Sequence, residues 1–73
     1  MKVGDKIILK KTSKYFSQQG QAKFGVIFEE ANLSGWIKVK WEKGHNNNGD
    51  TNSYKERDLI VIKNNQTMKE LLE

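Results

Sequence analysis

Apolar and polar residues alternate with a period of two along most of this chain, the pattern of strands with one buried face. The clearest case is Trp36-Ile37-Lys38-Val39-Lys40-Trp41-Glu42. Ile37, Val39 and Trp41 share one face, which reads as core. Trp36, Lys38, Lys40 and Glu42 share the other, placing a large indole beside two lysines where water is expected. An aromatic ring on a charged face points to a surface that binds something.

Four further segments read as strands. Residues 6–11 carry Ile7 and Leu9 in alternation with Lys6, Ile8 and Lys10, after a turn at Val3-Gly4-Asp5. Residues 23–30 carry Phe24, Val26 and Phe28 on one face, with Gly25 and Ile27 on the other. Gly25 inside a strand predicts a bulge or a close backbone approach. Residues 51–56 form a fourth strand after the loop Gly44–Asp50, whose glycines and asparagines tolerate positive φ. Asp58 starts a short connection, anchoring it through backbone N–H groups. The unbroken apolar run Leu59-Ile60-Val61-Ile62 predicts a last strand buried on both faces or closing a barrel. Residues 12–22 form a long polar loop with Tyr15 and Phe16 at its middle.

These strands predict an all-β, five-stranded small barrel over residues 1–63, followed by a tail at 64–73 with one short helix. In the tail, Thr67 and Glu70 have the spacing of a capping box, and Met68, Leu71 and Leu72 form an apolar stripe. Six residues do not hold a helix alone in water, so the stripe is expected to pack on an open end of the barrel.

Composition narrows the class. Seventy-three residues make one domain, and a chain of this size buries only about 60% of its unfolded surface. There is no cysteine, so neither disulfides nor thiolate ligands contribute. No apolar run approaches a membrane span, and Ile7-Ile8-Leu9 is too short for a signal-peptide core. The expected location is cytoplasmic. Lysine outnumbers arginine, and asparagine and isoleucine are common, as in the AT-rich coding sequence of many phages and low-GC bacteria. The net charge of +4 is uneven: residues 1–23 carry six lysines against Asp5. Lys38, Lys40 and Lys43 form a second basic patch, and the two make one positive stripe if they are neighbours in space.

Family resemblances add to this reading. G-W-I-K-V-K-W-E-K-G, then N-S-Y and D-L, resembles the Mind-bomb-type barrel of large ubiquitin ligases. Trp41, Gly44, Asn52, Tyr54, Asp58 and Leu59 fall on its motif positions, and an Asn-rich insertion separates Gly44 from Thr51. Over nearly the whole chain, G-D-K-I-I-L-K, S-K-Y-F, G-V-I, V-K-W-E-K, T-N-S-Y and D-L-I-V-I resemble the small basic barrel protein of photosystem I that helps dock ferredoxin. That family's Tyr-Pro pair at strand three is missing here. Gly4-Asp5, Gly20, Gly25 and Val26 are similar to the opening of the KOW barrels. All three families share a Src-homology-3-like barrel, which these resemblances imply as the fold. They imply no single function.

Catalysis needs a nucleophile with its base, a carboxylate pair or a metal cluster, and the sequence has none of these. His45 lacks a second His or Cys partner and reads as a solvated loop residue. Glu29 and Glu30 are adjacent in a strand, so they point to opposite faces. No Gly-rich phosphate loop precedes a helix. The expectation is a non-enzymatic protein without cofactor, metal or small-molecule substrate.

Binding is the better reading. In Src-homology-3 domains a Trp at the place of Trp36 lines a peptide groove. The resemblance gives Tyr15, Phe16 and Tyr54 the other aromatic positions, although the A-L-Y-D-Y signature is absent. Tyr54 has a structural alternative, with its hydroxyl bonded to a neighbouring loop, and Trp36 has one as a lid on the barrel. Trp36, Tyr15, Phe16 and Tyr54 would contact another protein, and Lys38 and Lys40 would select an acidic or extended segment. The alternative is a nucleic-acid barrel. The same aromatics would stack on bases, with Lys6, Lys10, Lys14, Lys38 and Lys40 on phosphates. Arg57 is the only arginine, the residue preferred for bidentate phosphate contacts, which ranks protein binding first.

Overall fold

The computed structural model describes residues 1–62. The expected helical turn at Thr67–Glu70, its Met68, Leu71 and Leu72 stripe and the tail at 64–73 lie outside them. Five strands form: β1 Lys6–Leu9, β2 Gly25–Glu29, β3 Trp36–Trp41, β4 Thr51–Lys55 and β5 Leu59–Val61. The protein is all-β, with two single turns of 3-10 helix at Phe16–Gln19 and Glu56–Asp58 that the sequence pattern did not predict.

All pairings are antiparallel, in the order β4-β3-β2-β1-β5. Strands β2, β3 and β4 form a meander, and β5 crosses back to pair with β1. Among the described residues β4 and β5 share no ladder, so the sheet is open where a closed barrel was expected. It still surrounds one core, since Ile7 and Leu9 of β1, Ile27 of β2, Ile37, Val39 and Trp41 of β3, Tyr54 of β4 and Leu59 of β5 fall in a single buried cluster. A sheet whose edge strands meet in one cluster is strongly bent, which the right-handed twist of strands permits. A small open five-stranded antiparallel sheet is consistent with a Src-homology-3-like β fold.

Local chemistry sets the strand ends. Strand β1 stops at Leu9 because its N–H leaves the ladder for Gln19 Oε1 at 2.9 Å, while Gln19 Nε2 donates to the Ala22 carbonyl at 3.0 Å. Gln19 is buried, although it sits in the most polar loop of the chain. The turn into β3 is built on Asn32, whose Oδ1 accepts from Ser34 N–H and Trp36 N–H. Asp58 joins β1 through its carbonyl, which accepts the Lys10 N–H, rather than through the carboxylate expected to anchor the turn.

Gly25 is the close approach and the bulge lies elsewhere. A Cβ at Gly25 would stand 2.5 Å from Val39 Cγ1 and 2.9 Å from Trp41 Cε3. The bulge falls between Ile27, which pairs with Val39, and Glu29, which pairs with Lys38. It inserts Phe28 and reverses the phase of the strand, so Glu29 shares a face with Lys38 instead of following Ile27 inward.

Candidate binding face

The outward side chains of β3 are Trp36, Lys38 and Lys40, and the register places their neighbours. Lys6 of β1 and Lys40 of β3 are both partners of Val26, and Thr51 of β4 is the next partner of Lys40. Lys6, Val26, Lys40 and Thr51 thus form one row across four strands. The two lysines stand about 10 Å apart at their Cα atoms, two strand spacings. The two basic patches of the sequence are therefore neighbours, with an apolar side chain between them.

The rest of the face is mixed. Phe28, the bulged residue, is 41% exposed. With Lys38, Thr51, Asn52 and Ser53 it lines a shallow depression of ≈ 190 Å³. Lys38 is not a free cation, because its Nζ pairs with Glu29 Oε2 at 2.9 Å. Both groups are half-exposed, so the pair contributes little to stability. Trp36 is half-buried, and the Lys55 ammonium sits 4.5 Å above its ring centre while also donating to the Ser34 carbonyl. Lys6 lies 4.7 Å over Phe24 in the same way.

The aromatic groove expected from Trp36, Tyr15, Phe16 and Tyr54 does not assemble. Tyr54 is a register partner of Ile37 and faces inward, opposite to Trp36. It has no exposed surface. Its hydroxyl accepts from Trp41 Nε1 at 2.9 Å and donates to Gln18 Oε1 at 2.7 Å. Tyr54 therefore leaves the surface set, and the structural alternative describes it. Tyr15 follows it, with its ring edge-on to Tyr54 at 5.7 Å and packed against the core. Burial pushes the Tyr54 hydroxyl above its ordinary pKa, against the smaller opposing effect of the Trp41 and Asn52 hydrogen bonds. Phe16 is 40% exposed and stands over a different part of the molecule, beside Ile8. Lys10 and Lys14 belong to that loop and not to the row; Lys14 lies 5.2 Å over Tyr15.

His45 is a second correction. Its side chain is 15% exposed rather than solvated, and Nε2 lies 3.3 Å from Asp50 Oδ1. Its loop folds onto the first loop: Asn46 N–H donates to the Gln18 carbonyl and Gln21 N–H to the Gly44 carbonyl. Ile8 is also buried, at 1% exposure, although it points away from Ile7 and Leu9.

Val26, Phe28 and Lys55 were not among the residues the sequence singled out. Val26 and Phe28 carried a usable signal, since they alternate with a glycine that has no side chain to expose. Lys55 carried none, because only the β3–β4 register brings it to Trp36. Among the described residues no group of three or more His, Asp or Glu side chains is placed to hold a metal ion, and no helix is long and apolar enough to cross a membrane. Compared with family models, curated proteins and solved structures, the chain finds no match.

Proposed function

We propose that this protein is a non-catalytic binding module whose outer sheet face takes an acidic, partly apolar segment of another protein. The row Lys6–Val26–Lys40–Thr51 carries this reading. Two ammonium groups, neither with a carboxylate partner among the described residues, flank an apolar side chain. The exposed Phe28 adds apolar area nearby. Charges at such a face set partner choice and association rate, while the apolar groups hold the complex.

The nucleic-acid reading is weaker on this face. Base stacking needs open ring faces, and Trp36 and Phe24 each have a lysine over one. Lys38 is already neutralised by Glu29. The test is an amide-shift titration with an acidic peptide and, separately, a short single-stranded oligonucleotide, each at two salt concentrations. The peptide is expected to shift Val26, Phe28 and Lys40, and Lys6→Glu with Lys40→Glu to weaken it roughly tenfold without lowering thermal stability. Oligonucleotide shifts on the same residues, with affinity falling steeply with salt, would replace this reading by the nucleic-acid one.

A further inference from the structure

A second concavity lies away from the sheet face. Ile8, Leu9, Phe16, Gln19 and Asn46 are among the residues lining a groove of ≈ 250 Å³ between β1 and the two long loops. Its apolar part is Ile8, Leu9 and the exposed ring of Phe16. Its polar lining is largely spent: Gln19 bonds Leu9 N–H and the Ala22 carbonyl, and Asn46 Nδ2 bonds the Ser17 carbonyl.

The groove is built before any ligand arrives. Successive turns fold residues 10–20 onto themselves, with Ser13 N–H on the Lys10 carbonyl, Phe16 N–H on Ser13, Gln18 N–H on Tyr15 and Gly20 N–H on Ser17. Asn46 closes one wall so tightly that a Cβ on Gly20 would stand 2.8 Å from its Cγ. A preformed groove loses little entropy on binding. Its size sets the occupant: whole small-molecule ligands fill about 300–1,000 Å³, so this groove suits one large side chain.

Charge sets the remainder. The turn that carries Phe16 also carries Lys10, Lys11 and Lys14. Among the described residues, no carboxylate pairs with any of them. Asp58 meets Lys10 only through its carbonyl.

We infer that this groove is a second docking site, for an acidic peptide segment that inserts one aromatic or large aliphatic side chain over Ile8, Leu9 and Phe16 and sets its carboxylates against Lys10, Lys11 and Lys14. The inference goes beyond the sheet-face reading and does not depend on it. Lys6, Val26 and Lys40 take no part.

The test uses the full chain and a capped peptide, Asp-Glu-Phe-Glu-Asp, followed through the methyl signals of Ile8 and Leu9 and the amides of Phe16 and Gln19. Shifts at these positions are expected. They should be lost when the peptide's Phe becomes Ala, and weakened roughly tenfold by Phe16→Ala or by Lys11→Glu with Lys14→Glu. The double charge reversal alters only exposed side chains, so its folded state is secured independently of Phe16. Shifts confined to Val26 and Lys40, or none at millimolar peptide, would overturn the groove assignment. Shifts that survive the peptide's Phe→Ala change would overturn it too, by reducing the contact to charge. Stronger shifts of the same groove signals by a short oligothymidylate would assign the site to nucleic acid instead.

Discussion

The Tyr54 hydroxyl accepts one hydrogen bond and donates another inside the fold, joining Trp41 to Gln18. Tyr54→Phe leaves the indole N–H and one amide lone pair without that partner, and is expected to cost about 1–3 kcal/mol in urea denaturation. An unchanged midpoint would mean that water replaces the hydroxyl. The titration sign follows from the burial. The neutral hydroxyl is favoured in the folded state, so its pKa lies above the ordinary 10.0. Below pH 10 both states are protonated and stability is undiminished. As pH rises past that point the unfolded chain ionises first, and stability falls until the folded pKa is passed. Tyr54→Phe should therefore flatten the alkaline limb of the stability curve, and a limb of equal slope in both proteins would remove Tyr54 as its source. The tyrosine was legible in the sequence as a motif residue, but its direction was not. Whether it met a ligand or the interior depended on the β3–β4 register.

At the level of strands, Gly25 shows how closely β2 and β3 pack over the core. Gly25→Ala must displace Val39 or Trp41, and overpacking of this kind costs about 1–3 kcal/mol. A urea midpoint equal to that of the parent would contradict the packing described. Strand β3 was fully legible, because its inward phase is apolar and its outward phase mostly lysine. Strand β2 was not, since Phe24, Val26 and Phe28 are as apolar as the inward Ile27, and the bulge at Phe28 then shifts the phase again. In β1, Ile8 alternates with the lysines and is nonetheless buried. The reason is the pairing of β1 with β5, where Ile8 meets Ile60 and both faces of the ladder become apolar. His45 differs from its expected setting for a related reason. A Gly- and Asn-rich loop reads as solvated, and here its asparagines are spent on hydrogen bonds to a loop far away in the chain.

Those bonds matter for the molecule as a whole. Gln18 Oε1 accepts from both Tyr54 and Asn52, which lie 36 and 34 positions away, while its carbonyl takes the Asn46 N–H. One side chain thus ties both long loops to β4. Gln18→Ala is expected to raise amide exchange in residues 15–21 and 44–50 together, with β3 left protected. Faster exchange in only one loop would show that they are held separately. The candidate face is also a property of the whole fold. Lys6 and Lys40 were each visible as basic residues, yet their alignment across Val26 exists only because β2 lies between β1 and β3.

The two tryptophans stand in opposite environments, one sealed against Tyr54 and one half-covered by the Lys55 ammonium on the proposed face. A neutral quencher such as acrylamide will reach Trp36 well before Trp41. A partner seated on the sheet would shield Trp36 and leave Trp41 unchanged, whereas unfolding would open both. The fluorescence of this chain thus carries separate channels for occupancy and for folding, and Trp36→Phe isolates the second.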